Sequence, residues 1–84
     1  MIHLAILNLK ETLYEGNVQS ITLPGEQGEL TVLPNHVPII TAIKEGVISA
    51  LLDERERYAG EERKHIESKG GIFEFSDNKA TVLL

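Results

Sequence analysis

Short runs of apolar residues are separated by glycine, proline and charged residues along the whole chain. Ile2, Leu4 and Ile6 alternate through the first run, and this period of two residues predicts a β-strand. The β-branched residues Ile, Val and Thr, which suit a pleated sheet, make up 19 of the 84 residues. Apolar runs of this length with turn residues between them are typical of an all-β sandwich or barrel.

The same pattern predicts the order of strands and turns. The apolar runs predict strands over residues 2–9, 18–23, 29–33, 39–43, 47–52, 72–75 and 80–84. Turns are expected at 10–16, 24–28, 44–46, 70–71 and 76–79, where Gly, Pro, Asn and Asp collect. Two prolines should hold residues 34–38 as a stiff extended corner, since each keeps the preceding residue out of the helical region.

The segment 53–67 differs from the rest because it holds ten of the 21 charged residues. One interpretation is a solvent-facing hairpin with its tip near residues 59 and 60. The other is a short polar helix, since Asp, Glu and Arg are tolerated in helices. Gly60 interrupts the helical pattern, so the hairpin is favoured.

Composition narrows the class of protein. Eighty-four residues make one small domain, and the formal net charge of −5 lacks the basic surface that nucleic-acid binders need. No apolar stretch approaches the ~20 residues that span a bilayer, so no direct membrane insertion is expected. No signal peptide is recognisable at the N-terminus. The chain contains no cysteine, which excludes disulfides and thiolate chemistry.

Candidate catalytic and metal-binding groups are few. His3, His36 and His65 have no spacing typical of metal ligands, and no phosphate-binding glycine motif is present. The carboxylates of the charged segment are expected to be solvated, whereas acid–base catalysis needs a desolvated one. We therefore expect no catalytic residue, no cofactor and no metal, and interpret the chain as an interaction module.

The central stretch, residues 21–46, carries a specific combination of motifs. They are G-E-x-G at 25–28, P-x-H-x-P at 34–38 and T-x-I-x-x-G at 41–46. In these motifs the chain resembles the N-terminal domain of the epsilon subunit of F-type ATP synthases. The opening and closing segments fit the same family pattern, so the resemblance covers nearly the whole chain.

The resemblance implies a flattened β-sandwich of two sheets with about ten short strands over residues 1–84. It implies a non-catalytic rotor subunit that links the gamma subunit to the c ring. By carry-over, Glu29 is expected to face the c ring, and His36 and Thr41 are expected to contact gamma. The alternative for His36 is that it only braces the corner.

Members of this family usually continue into two C-terminal helices that inhibit hydrolysis and, in some members, bind ATP. The 84 residues contain no such helices, either because the protein is short or because the chain is one domain of it. We expect this chain to bind no nucleotide and not to restrain hydrolysis. The expected location is the cytoplasmic face of the cell membrane, with a plastid or other organelle as the alternative.

A second functional hypothesis is a stand-alone β-sandwich module that binds a protein or a glycan. Glycan modules usually expose aromatic platforms, and this chain has two Phe, two Tyr and no Trp. The composition therefore disfavours the glycan version.

Overall fold

The computed structural model describes residues 1–58 and 60–84. It contains six strands and one three-residue 3₁₀ helix: β1 (Ile2–Leu7), β2 (Thr12–Gly25), β3 (Gly28–Val32), β4 (Ile39–Leu52), η1 (Glu54–Glu56), β5 (Arg63–Ser76) and β6 (Lys79–Leu83). The predicted all-β class is confirmed.

The strands form one continuous hydrogen-bonded sheet that folds into two layers. Their order is β1-β6-β5-β4-β2-β3, and β1 also pairs with β2, which closes a ring of five strands. Among the strands of residues 1–58 and 60–84, β1 pairs parallel with β6 and the other pairings are antiparallel. One layer contains β1, β6 and the segments 12–18, 39–43 and 72–76. The other contains β3 and the segments 18–25, 45–52 and 63–69, so the predicted sandwich is confirmed.

The expected count of about ten short strands needs correction. Strands β2, β4 and β5 are 14 residues long, and each contributes to both layers. The turns predicted at 10–16, 44–46 and 70–71 are wrong for this reason, because most of these residues lie inside the long strands. The glycines there allow bends that do not end the strand. Counted by layer, the chain has five and four strand segments, close to the predicted number.

The tight turns at both hairpins are confirmed. Gly25 pairs with Gly28 at the end of the β2–β3 hairpin, and Ser76 pairs with Lys79 at the end of the β5–β6 hairpin. Asp77 in the second turn has a φ of 52°, a left-handed conformation that Asp tolerates better than most residues.

The core fills the space between the layers. Phe73 and Phe75 are its largest side chains, and Ile2, Leu4 and Ile6 of β1 are buried as their alternation predicts. Leu13 and Tyr14 of strand β2 are partly buried and pack against the core. The remaining buried apolar side chains are Val18, Ile21, Leu23, Val32, Ile43, Ile48, Ala50, Leu52, Ala80 and Val82.

The charged segment connects β4 to β5, and these two strands pair antiparallel with Leu51 opposite Arg63. An antiparallel hairpin is present here, but the expectation is correct only in part: its arms are β4 and β5, and the described residues between Leu52 and Arg63 contain no strand, only the three-residue helix η1. The expected tip includes Ala59, which lies outside the described residues.

Two hydrogen bonds fasten this connection to strand β2. The backbone N–H of Asn17 donates to Glu56 Oε2 at 2.8 Å, and the N–H of Asp53 donates to the Asn17 carbonyl at 3.1 Å. Asp53 is buried and accepts a hydrogen bond from Arg55 Nε at 3.1 Å. The connection therefore covers part of the strand edge that β2 would otherwise present to solvent.

The bend in β5 generates the first prediction. A Cβ on Gly71 would overlap the backbone carbonyl of Leu83 on the neighbouring strand β6. We expect Gly71→Ala to lower the free energy of unfolding by about 1–3 kcal/mol, because backbone must move to admit the methyl group. Thermal unfolding checks this, with the exposed Ser76→Ala as control. Equal melting temperatures for the two variants would show that the strands do not approach this closely.

The second prediction concerns a cross-strand pair between β1 and β2. His3 Nε2 lies 2.9 Å from Glu15 Oε2, and this hydrogen bond raises the pKa of His3 above its usual 6.5, outweighing a small opposing effect of burial. The pKa of His3 is higher in the folded chain than in the unfolded chain. The pair with Glu15 therefore stabilises the folded chain fully at a pH below the pKa of the unfolded chain, and this stabilisation is lost as the pH rises through the pKa of the folded chain.

We therefore expect the wild-type chain to lose stability relative to Glu15→Gln between about pH 6 and pH 8, by about 0.2–1 kcal/mol for so exposed a pair. Melting curves at both pH values measure the difference, and added salt should reduce it. A difference between the chains that grows with pH would contradict the assignment.

Candidate functional site

The proline corner between β3 and β4 is fastened to the β5–β6 turn. The backbone N–H of Asn35 donates to Asn78 Oδ1 at 2.7 Å, and Asn78 Nδ2 donates to Asn35 Oδ1 at 3.0 Å. Both residues are left-handed, with φ of 68° and 58°. This reciprocal pair, the asparagine clasp, holds the corner in place although its two residues are 43 positions apart.

His36 sits half-buried at the same corner. Its Nδ1 lies 2.7 Å from the Val37 carbonyl, so this nitrogen carries the proton and donates. The imidazole edge packs on Phe75 in a T-shaped arrangement, with ring centroids 6.0 Å apart. These contacts are those of a bracing residue. They leave the other nitrogen, Nε2, available for a partner.

Glu29 and Thr41 lie together at the open end of the sandwich. Both line a cleft of about 280 Å³ between the β2–β3 hairpin and the start of β4, which we call the end cleft. Its other lining residues are Gly25, Glu26, Gln27, Gly28, Leu30 and Ile39. Glu29 is exposed and Thr41 is half-buried.

The three residues expected at subunit contacts are therefore not one site. The structure brings Glu29 and Thr41 together in the end cleft, and His36 is not among the residues that line it. The expectation paired His36 with Thr41 as gamma contacts. No finding tests either pairing, and the assignments stay predictions.

One outer face of the sandwich carries an apolar row that crosses four strands. Ala42 of β4 pairs with Ile72 of β5, which pairs with Leu83 of β6, which pairs with Leu7 of β1. Ile72 and Leu83 are each 51% exposed. Ile40, two residues before Ala42 and on the same face, is 72% exposed. We call these five residues the apolar face.

The opposite outer face is mainly polar, although Val47 of β4 is 52% exposed there. Thr31, Thr22, Ser49 and His65 occupy the corresponding positions across β3, β2, β4 and β5. The hydroxyls of Thr22 and Thr31 lie 3.0 Å apart in a hydrogen bond. The two faces of the sandwich therefore differ in character, and only one suits an apolar partner surface.

Sequence reasoning from the expected gamma contact predicts an apolar surface patch that the core does not use, but it did not identify the residues of the apolar face. The signal that could have found it is the presence of apolar residues at both alternating positions of one strand. Ile39, Ile40, Ala42 and Ile43 show this in β4, as do Ile72 and Phe73 in β5. Such strands are expected where both sides of a sheet are covered.

The described residues offer little for chemistry. Among residues 1–58 and 60–84, no group of three or more His, Cys, Asp or Glu side chains could hold a metal ion. In the same residues, no buried side-chain nitrogen or oxygen lacks a hydrogen-bond partner. None of the helical structure described is long and apolar enough to cross a membrane.

Comparison with known proteins identifies the family. The family model for the β-sandwich domain of the ATP synthase delta/epsilon chain matches residues 1–84. The chain belongs to this family. The fold, the motif spacing and the match therefore agree over the whole chain.

Relatives and solved structures are consistent with this membership. The chain is 32% identical to the ATP synthase epsilon chain of Leptospira borgpetersenii over 98% of its own length and 59% of the relative's. It is 35% identical to that of Delftia acidovorans over 98% of its own length and 55% of the relative's. The chain thus spans little more than half the length of these curated relatives.

Two solved structures share the fold. A chain of the Euglena gracilis mitochondrial ATP synthase, in a structure of its OSCP/F1/c-ring, has a TM-score of 0.80 at 20% identity and covers 98% of this chain and 49% of that one. A chain of the Tetrahymena thermophila mitochondrial central stalk/c-ring has a TM-score of 0.73 at 13% identity and covers 98% and 61%. The stand-alone binding module gains no support from these comparisons.

The asparagine clasp generates the third prediction. We expect Asn78→Ala to destabilise the chain by about 1–3 kcal/mol, because it removes two hydrogen bonds and places alanine in a left-handed conformation. Asn78→Gly separates the causes, since glycine keeps the conformation and loses only the hydrogen bonds. Urea unfolding measures both variants. If Asn78→Gly is as stable as the wild-type chain, the clasp contributes nothing and only the backbone conformation matters.

Proposed function

We propose that this chain is a non-catalytic subunit of the central stalk of an F-type ATP synthase and links the gamma subunit to the c ring. The observation that carries the proposal is the family match over residues 1–84. The curated relatives are named ATP synthase epsilon chain, and the solved structures with the same fold come from a central stalk/c-ring and an F1/c-ring assembly.

The architecture suits a part that transmits force. A closed ring of strands has few free edges, and a close-packed sandwich interior has low compressibility. A rotor part needs both properties, since torque must pass between its neighbours without deforming it. No catalytic group is needed for this role, and the proposal includes neither a cofactor nor a nucleotide.

We assign the apolar face to the gamma subunit. A stable protein interface hides about 800 Å² on each partner, which is a large fraction of the 5364 Å² that this chain exposes. Such an interface needs apolar residues that the core does not use, and Ile40, Ile72 and Leu83 meet that description. Two further exposed apolar side chains, Leu33 and Val37, flank the His36 corner and are 57% and 70% exposed.

We assign Glu29 to the c ring. It follows the β2–β3 turn and lines the end cleft. Basic groups on polar loops of c subunits would complement its charge. The complex would hold the chain as a peripheral subunit at the membrane, and we propose the cytoplasmic face of the cell membrane as its location.

Reconstitution tests the proposed function. The tagged chain is mixed with purified gamma and c ring from the same organism, and we expect it to retain both. Ile72→Ser should weaken capture of gamma while the chain stays folded, with a modest fall in melting temperature, since this side chain is 51% exposed and outside the core. The matched control, Thr22→Ser on the polar face, should bind as the wild-type chain does. Failure of the wild-type chain to bind either subunit would refute the function.

The same assay decides the role of His36. If His36→Ala binds gamma normally and melts at a lower temperature, the residue braces the corner. If it binds gamma poorly and melts normally, the residue is a contact.

The fourth prediction concerns Glu29 and the c ring. An exposed charge pair contributes about 0.2–1 kcal/mol, so Glu29 should affect the rate of association more than the affinity. We expect Glu29→Lys to slow association with the c ring, with a larger effect at low salt. Stopped-flow or surface binding kinetics measure this, with Glu67→Lys on β5 as the control of equal charge. Association that is unchanged at every ionic strength would contradict the assignment.

A further inference from the structure

The end cleft combines an apolar interior with an acidic rim. Leu30 and Ile39 are half-buried and pack against the core at its inner end. Glu26 and Glu29 are exposed at its rim. Thr41 adds a hydroxyl that donates to the Ala42 carbonyl at 3.3 Å and keeps its oxygen lone pairs as acceptors. A site of this character is amphipathic, with apolar walls inside and negative charge outside.

Local backbone geometry keeps the cleft open. Gly25 pairs with Gly28 across the hairpin and with Ile43 of β4 on its other side. A Cβ on Gly25 would lie 2.8 Å from the Gly28 carbonyl oxygen, so a side chain is not tolerated there without a shift. Because these two glycines have no side chains, the space beside the hairpin remains empty. Its volume of about 280 Å³ is far above the ~10–15 Å³ that holds one water.

We propose that the end cleft is a socket for one lysine or arginine side chain of a partner subunit. The aliphatic stem of such a side chain packs on Leu30 and Ile39. Its cationic head reaches the rim, where the carboxylates of Glu26 and Glu29 and the Thr41 hydroxyl accept its hydrogen bonds. Long basic side chains commonly bury the stem and keep the charge near water.

Other occupants fit less well. An anion would meet two carboxylates on a chain of net charge −5. A purely apolar side chain would desolvate those carboxylates without compensation. A basic side chain satisfies both parts of the lining.

This inference deepens the proposed function and rests on it only for the identity of the subunit that supplies the side chain. The chemistry of the socket depends on the residues of this chain alone. It adds Leu30, Ile39 and Thr41 to the contact expected of Glu29, and it gives Thr41 and Glu29 one ligand in common.

Nuclear magnetic resonance titration of the wild-type chain tests the socket without any partner subunit. Ethyl-, propyl- and butylammonium serve as probes, because butylammonium reproduces the lysine side chain. We expect saturable shifts confined to the amides of residues 25–30 and 39–41. Affinity should rise by up to about fourfold for each added methylene group, since each is buried against Leu30 and Ile39.

Variants assign the two parts of the lining. Glu29→Gln should weaken butylammonium binding about twofold to fivefold, as expected for an exposed charge pair. Leu30→Thr should remove the dependence of affinity on the length of the alkyl group, while the contribution of the ammonium charge to binding stays. The control Glu67→Gln removes one negative charge outside the cleft and should leave binding unchanged.

Several results would overturn the socket. Equal shifts with butanol would show that the ammonium charge does not contribute to binding. Equal affinity for all three amines would show that the aliphatic stem is not buried. Shifts of the same residues with Mg²⁺ at equal concentration would indicate a general cation effect.

A further arm separates this inference from the proposed function. The amine titration of the wild-type chain is compared with its reconstitution with gamma and the c ring. If the wild-type chain assembles and the amines do not bind, only the socket is refuted. If the amines bind as expected and assembly fails, the proposed function is refuted.

Discussion

The pairing of β4 with β5 is the constraint on which the rest of the structure depends. Both strands are 14 residues long, and they stay in one register from Ile39 opposite Phe75 to Leu51 opposite Arg63. Because this single ladder passes through both layers, the layers cannot slide or separate without breaking it. Strand β1 then completes the ring by pairing parallel to β6 and antiparallel to β2. The bends of the ladder are possible because glycines occupy the positions where another strand comes close.

Closure of the ring also fixes where the chain can meet partners. The core takes one side of each strand, so the outward positions alone remain for contacts. On one side they include the apolar face, with Glu74 opposite Ile40, and on the other they are mainly hydroxyls and charges, with Val47 exposed among them. The end cleft lies beside the β2–β3 hairpin. A rigid body with separate surfaces in fixed relation suits a coupling part, because displacement at one surface is passed to the other.

Local patterns in the sequence predicted much of this and failed in a consistent way. Alternation in 2–7 and the turn chemistry of 24–28 and 76–79 are local, and the strands and hairpins they indicate are present. Glycines at 46, 70 and 71 were interpreted as turns, since the sequence does not distinguish a turn that ends a strand from a bend inside one. Whether a glycine ends a strand or bends it depends on which residues pair across the sheet. The end cleft could not be predicted either, because Glu29 and Thr41 meet through the bend of β4 and not through any motif spacing.

The apolar face is suited to association, whereas the core residues act in folding. Ile72 and Leu83 remain 51% exposed and Ile40 72% exposed in the isolated chain, so burial of this remaining area must come from another molecule. Burial of apolar surface contributes about 25 cal/mol per Å². For the exposed area of Ile40, Ile72 and Leu83, this free energy is gained only on binding. Part of that gain is offset by the loss of rotational and translational freedom. In the proposed assembly, a charged rim residue such as Glu29 would act mainly on orientation and association rate, and the apolar contacts would set the dissociation rate.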